Sequence, residues 1–219
     1  MTHSEENYIK AIYHLSDAGM HSVSTNAIAS QMKTKPSSVT DMIKKLSDKG
    51  YVHYKKYRGV HLSEKGINTA LAVIRQHRLW EVFLAEKLGF NWDEVHEVAE
   101  QLEHIKSEKL IDKLDEFLDF PKYDPHGDPI PGKNGELAQR SLQLLSSMKP
   151  EEKGICVGVK DSSASFLKFL DKNNIALGDQ IRILDVEEFD ESLTIQIVNK
   201  ELHISKRIAT NLFIKPIPL

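Results

Sequence analysis

The sequence predicts a multidomain α+β chain: a winged helix-turn-helix, then a helical segment rich in acids and histidines, then a small β-barrel. Three observations predict it. Apolar residues recur at helical spacing up to about Leu118, interrupted by one short alternating hairpin around Arg58-Gly59. The stretch Phe120 to Asn134 carries Pro121, Pro125, Pro129 and Pro131 with Gly127 and Gly132, which excludes a regular element and reads as a linker. Beyond Lys153 the pattern changes to short β-rich runs. The expected domains are residues 1–72, 73–140 and 153–219.

The first helix rests on Tyr8, Ile9, Ile12, Tyr13 and Leu15, with Gly19 as its stop. Ser24 or Thr25 caps a second helix holding Ala27, Ile28 and Met32. Pro36 opens a third, whose inward residues are Val39, Met42, Ile43 and Leu46, and Gly50 ends it. Two short helices joined by Lys33 to Pro36 fit a helix-turn-helix, whose second helix enters a DNA groove. Val52, Tyr54 and Lys56 alternate, Arg58-Gly59 turns, and Val60 and Leu62 alternate back, forming the wing. Ser63 caps a long helix from Glu64 to Leu88, Trp92-Asp93 opens another through Ile105, and a third runs from Glu108 to Leu118. The β-rich runs are Ile155 to Val159, Gln180 to Val186, Leu193 to Val198 and Leu212 to Ile214.

Composition narrows the chemistry. A single cysteine, Cys156, excludes an internal disulfide and a thiolate zinc cluster, so a metal site must be built from His and carboxylates. No apolar stretch approaches the ~18 residues that cross a bilayer, and a cytoplasmic protein is expected. The net charge of −3 hides an asymmetry. Residues 31–66 hold nine Lys and Arg against Asp41, Asp48 and Glu64, a net of +6, while residues 81–120 hold twelve acids against four lysines, a net of −8. The basic segment fits an anionic partner and the acidic one fits cations.

On the exposed side of the third helix lie Ser37, Ser38, Thr40, Asp41, Lys44 and Lys45: short polar groups that can approach base edges, then lysines for phosphates. The wing tip adds Lys55, Lys56, Tyr57 and Arg58. In the acidic segment His77 with Glu81, and His96 with Glu100, stand four residues apart and so share a helix face. Glu103 and His104 extend the second face, and two helices bearing such pairs can supply most donors of a divalent ion. His53, His61, His126 and His203 are assigned no ligand role.

The run Pro36-Ser37-Ser38-Val39-Thr40, the wing Lys56-Tyr57-Arg58-Gly59, His77-Arg78-Leu79 with Glu81, Val95-His96, Glu103-His104 and Pro129-Ile130-Pro131-Gly132 together resemble the diphtheria-toxin-repressor and manganese-transport-regulator family along the whole chain. The resemblance implies a winged-helix domain, a helical dimerisation domain holding the metal sites, and an SH3-like third domain. It implies a homodimer that binds double-stranded operator DNA with a divalent metal as corepressor. Carried over, Glu100, Glu103 and His104 match the primary site, whose fourth position falls on Asn7, and His77, Glu81 and His96 match an ancillary site that Asp161 can complete. Asn7 departs from the methionine of iron-type members and the aspartate of manganese-type ones. Lys10 stands where some short manganese-type members carry a glutamate ligand, which argues against their closely spaced binuclear arrangement. With no sulfur in the primary site, Mn(II) is favoured over Fe(II). Two rivals stay open: a binuclear metalloenzyme, although no histidine here has a glutamate three residues before it, and a winged-helix regulator without metal.

Overall fold

A computed structural model describes residues 1–55, 58–138, 143–161, 163–198 and 200–217. Helix α1 spans His3–Leu15, and its N-terminus is closed by a capping box in which Thr2 and Glu5 satisfy each other's backbone N–H. α2 covers Thr25–Gln31 with Ser24 as N-cap, as its hydroxyl accepts from the Ala27 N–H. α3 covers Pro36–Asp48 with proline in its first turn, where the missing N–H costs no hydrogen bond. Strands β1 (Val52–Lys55) and β2 (Gly59–Leu62) pair antiparallel with Val52 opposite Leu62. The wing tip residues Lys56 and Tyr57 lie outside the described residues. One buried cluster unites these elements: Ile9 and Ile12 of α1, Ile28 of α2, Val39, Ile43 and Leu46 of α3, and Val52, Val60 and Leu62 of the hairpin.

The long helix α4 runs Glu64–Leu88, followed by α5 (Trp92–Leu102) and α6 (Glu108–Phe117). Ser63 caps α4 by accepting from the Gly66 N–H. The chain divides into two compact units, and α4, α5 and α6 each contribute to both. The first comprises Met1–His77, Glu100–Asp112 and Pro131–Leu137; the second comprises Arg78–Ala99, Lys113–Ile130 and Ala138–Leu219.

In the second unit, β3 (Gln143–Leu144), β4 (Lys153–Val159), β5 (Gln180–Val186), β6 (Leu193–Ile197), β7 (Lys200–Ile204) and β8 (Leu212–Pro216) form a six-stranded antiparallel sheet in the order β3-β8-β4-β5-β6-β7. Register shifts between Cys156 and Gly158 and between Ile183 and Asp185 are bulges, which bend strands. Helices α7 (Ala164–Asn173) and α8 (Lys206–Ala209) accompany the sheet, and Leu167 and Leu170 of α7 enter its buried core beside Cys156, Ile181, Ile195 and Ile214. Neither helix, nor β3, is among the sequence expectations, whereas the strand expected at His203 is β7.

The proline-rich stretch departs from its reading as a linker. It lacks helices and strands but is folded: Asp124, His126 and Ile130 are buried, and Tyr123 bridges Pro129. The His126 carbonyl accepts from the Val159 N–H of β4, and Gly127 lies so close to that strand that a Cβ would fall 1.9 Å from the Val157 carbonyl. Its φ of +81° adds a second reason for glycine. Prolines here restrict φ along a folded loop, and glycine at 127 permits its close approach to β4.

Candidate metal centre

The first cluster lies within the first unit, where α1 meets the end of α5. Glu103 is fully buried, and its Oε2 stands 2.6 Å from His77 Nδ1. The Lys10 ammonium donates to both oxygens of Glu103 and to Glu100 Oε1, each at 2.7 Å. Burial alone opposes ionisation of Glu103, but the His77 hydrogen bond and the Lys10 charge outweigh it and hold the carboxyl below its ordinary range. His77, Glu100 and Glu103 each offer one donor atom within 4.8 Å of the others. His104 is buried beside them, and its Nδ1 meets Glu6 Oε2 at 2.6 Å. A carboxylate can only accept, so Nδ1 carries the proton and Nε2 remains as the donor atom for an ion. The His3 ring stacks on His104 with centroids 4.4 Å apart. Asn7 Oδ1, on α1, is buried without a hydrogen-bond partner among the described residues. Such an oxygen is expensive to leave unsatisfied. Nitrogen and oxygen donors with no sulfur fit a hard or borderline divalent ion.

The second cluster lies within the second unit. Glu81, Asp124 and His126 are all buried, and each offers a donor atom within 4.8 Å of the others. Asp124 Oδ1 accepts from the backbone N–H of His126 and of Asp128, while Arg78 Nε lies 3.4 Å from its Oδ2. Burial, then the Glu81 and Asp128 charges, push the Asp124 carboxyl up to about 7. His126 Nδ1 lies 3.8 Å from Glu81 Oε2, so two carboxylates and an imidazole form an N and O donor set of the kind divalent ions use. His96 Nδ1 is 3.4 Å from Glu81 Oε1, with the ring 61% exposed. His77 precedes Glu81 by one turn of α4. Asp161 accepts from the Ser163 N–H at 2.8 Å.

The residues that the sequence assigns to DNA contact lie on the first unit. Ser37, Ser38, Asp41 and Lys44 are exposed along α3, and Arg58 is exposed beside the hairpin. Thr40 is half-buried and its hydroxyl donates to the Pro36 carbonyl at 3.0 Å, leaving lone pairs and a methyl group for contact.

Residues 1–60 match the iron dependent repressor N-terminal DNA binding domain, residues 63–132 the iron dependent repressor metal binding and dimerisation domain, and residues 143–216 the FeoA domain. The chain is 36% identical over 119 residues to the HTH-type transcriptional regulator MJ0568 of Methanocaldococcus jannaschii, a match covering 54% of this chain and 95% of that protein. The chain belongs to the iron-dependent repressor family. It is 34% identical to the iron-dependent repressor IdeR of Mycobacterium tuberculosis, over 58% of this chain and 55% of IdeR. A solved manganese-dependent transcriptional repressor in complex with manganese superposes with a TM-score of 0.83 at 31% identity, covering 97% of this chain and 100% of that one.

Membership bears out the expected architecture: a winged helix-turn-helix, a helical dimerisation domain and an SH3-like third domain, in a family of metal-dependent repressors. No helix of the described residues is long and apolar enough to cross a membrane. Three residues at the clusters escape the sequence reading. Glu6 follows the capping glutamate and shares a helix face with Lys10, four residues on, which is the signal that marks it. Asp124 and His126 form an acid-x-His pair in the proline-rich stretch, hidden by its reading as a linker.

Proposed function

We propose that this repressor reads Mn(II), with Fe(II) as the second candidate, through two centres, and that the ion drives binding of a homodimer to double-stranded operator DNA. The observation that carries the reading is the convergence of Lys10 and Glu6 of α1 with Glu100, Glu103 and His104 around the C-terminal end of α5, with Asn7, whose buried Oδ1 lacks a partner among the described residues, between Glu6 and Lys10 on α1. In the first centre Asn7, Glu100, Glu103 and His104 hold the ion, Glu6 orients His104, and His77 orients Glu103. The bound ion supplies a fixed double positive charge that donors on α1 and α5 share. In the second centre Glu81, Asp124 and His126 form the core, with His96 at its rim and His77 one turn back.

The DNA-reading elements are tied to the first centre through α1. Glu5, one residue before Glu6, is buried and bonds Lys49 at 2.7 Å and Lys45 at 2.9 Å, both at the C-terminal end of α3. Whatever fixes α1 therefore biases α3, which presents Ser37, Ser38, Thr40 and Asp41 to base edges and Lys44 to phosphate. Lys56, Tyr57 and Arg58 serve the phosphate backbone from the wing. A carboxylate-rich helical pair also suits redox catalysis, but the family contains transcriptional regulators. The domains are assigned as residues 1–72, 73–140 and 153–219.

The test is binding of purified protein to its own promoter region, with chelator and with Mn(II) or anaerobic Fe(II). Affinity is expected to rise with either ion, and to rise at lower free ion in wild type than in Glu103→Gln. Binding unaffected by chelator overturns the reading.

A further inference from the structure

We propose that Lys10 is a resident cation of the first centre, and that loading the centre is an exchange in which a divalent ion displaces the Lys10 ammonium from Glu100 and Glu103. The inference rests on the reading of Glu100 and Glu103 as ligands. Three 2.7 Å contacts place one ammonium on both carboxylates, in a setting where the lysine side chain is 13% exposed and Glu103 not at all. That is the position of a cation shared by two acids, already filled by the chain itself.

Charge decides the consequence. On Glu100 and Glu103 alone, two carboxylates and one ammonium leave a single negative charge and a divalent ion in place of the ammonium leaves none, whereas an ion held by the same oxygens that Lys10 bonds would stand directly beside the ammonium. Like charges at such range repel strongly where water is excluded. The ammonium must therefore leave, and its four-carbon stem and residual exposure give it a path to solvent. The attachment of α1 moves with it. Asn7 lies three residues before Lys10, on the same face of α1 and one turn nearer the N-terminus. Without an ion, Lys10 fastens α1 to Glu100 and Glu103; with an ion, Asn7 does so. Lys10 thus raises the concentration of ion at which the centre fills, and it also keeps the helices together when the centre is empty of metal.

The experiment compares wild type, Lys10→Met, Lys10→Gln and Glu103→Gln in two measurements: Mn(II) affinity, from the electron paramagnetic resonance signal of free Mn(II), and melting temperature in chelator. Both lysine variants are expected to bind Mn(II) at the first centre at least tenfold tighter than wild type. In chelator both should melt below wild type, because Glu100 and Glu103 then face each other uncompensated, and Mn(II) should restore them. Lysine variants with unchanged or weaker Mn(II) affinity overturn the exchange, as does an unchanged melting temperature in chelator. If Glu103→Gln binds Mn(II) with wild-type stoichiometry and affinity, the assignment of the centre itself fails and the exchange falls with it.

Discussion

Glu5 sits fully buried beneath Lys49 and Lys45, whose hydrogen bonds, together with the Thr2 N–H, draw its carboxyl down to about 2. A folded-state value below the unfolded one stabilises the fold above pH ~4.5, and that stabilisation is lost as pH falls towards 2. Glu5→Gln should therefore lower stability by about 1–2 kcal/mol at pH 7, the lysines being half exposed, and the deficit should shrink as pH falls from ~4.5 to ~2. Acid titration of the melting temperature of both proteins in chelator measures it; a deficit constant across that window contradicts the ion pairs. Asp124 has the opposite sign. Burial and the Glu81 charge raise its carboxyl to about 7, so the metal-free fold binds more protons than the unfolded chain between pH ~4 and ~7 and loses stability as pH rises through that window. Asp124→Asn should make the metal-free protein more stable than wild type at pH 8 by about 1–3 kcal/mol, while reducing Mn(II) stoichiometry by one per chain. Calorimetry in chelator and metal analysis after dialysis check the two halves, and an unchanged stoichiometry removes Asp124 from the second centre.

Local signals carried most elements. The caps Ser24 and Ser63, Pro36 at the start of α3 and the Arg58-Gly59 turn are short-range chemistry, so α1 to α6 and the hairpin fall close to where spacing and caps place them. The misses are tertiary. β3 is two residues long and gains its strand character from β8 beside it in the sheet. The 120–134 stretch is ordered by Arg78, which donates to the Pro129 carbonyl at 2.5 Å and faces Asp124, and by β4; neither contact has a local signature. The residues proposed for the first centre were suggested by sequence where Glu100, Glu103 and His104 lie within five consecutive positions at and just past the end of α5, whereas Glu6 and Lys10 reach them from ninety or more residues away. At the level of the recognition helix and wing, Lys44→Ala and Arg58→Ala should each weaken operator and non-operator DNA alike and reduce the slope of log affinity against log salt by about one unit per lost phosphate contact. Ser37→Ala should alter sequence preference and leave that slope unchanged. Fluorescence anisotropy across a salt series separates the two, and a specificity change from Arg58→Ala at constant slope would reassign the wing.

For the molecule as a whole, metal and DNA are two ligands of one conformational equilibrium, so each must change the affinity of the other by the same factor. The first centre joins α1 to α5, Glu5 joins α1 to α3, and in a dimer the spacing of the two α3 helices decides whether both reach successive major grooves. Mn(II) at saturation is therefore expected to tighten operator binding by about 5- to 150-fold, and saturating operator to tighten Mn(II) by the matching factor. Measuring both arms on wild type closes the thermodynamic cycle. Glu5→Gln then tests the route: it leaves the donors of the first centre in place but cuts the tie from α1 to α3, so Mn(II) affinity without DNA should stay within about twofold while the coupling factor shrinks. Full coupling in Glu5→Gln would move the route away from the Glu5–lysine pairs, and DNA affinity indifferent to Mn(II) in wild type would remove the metal from control of DNA binding altogether.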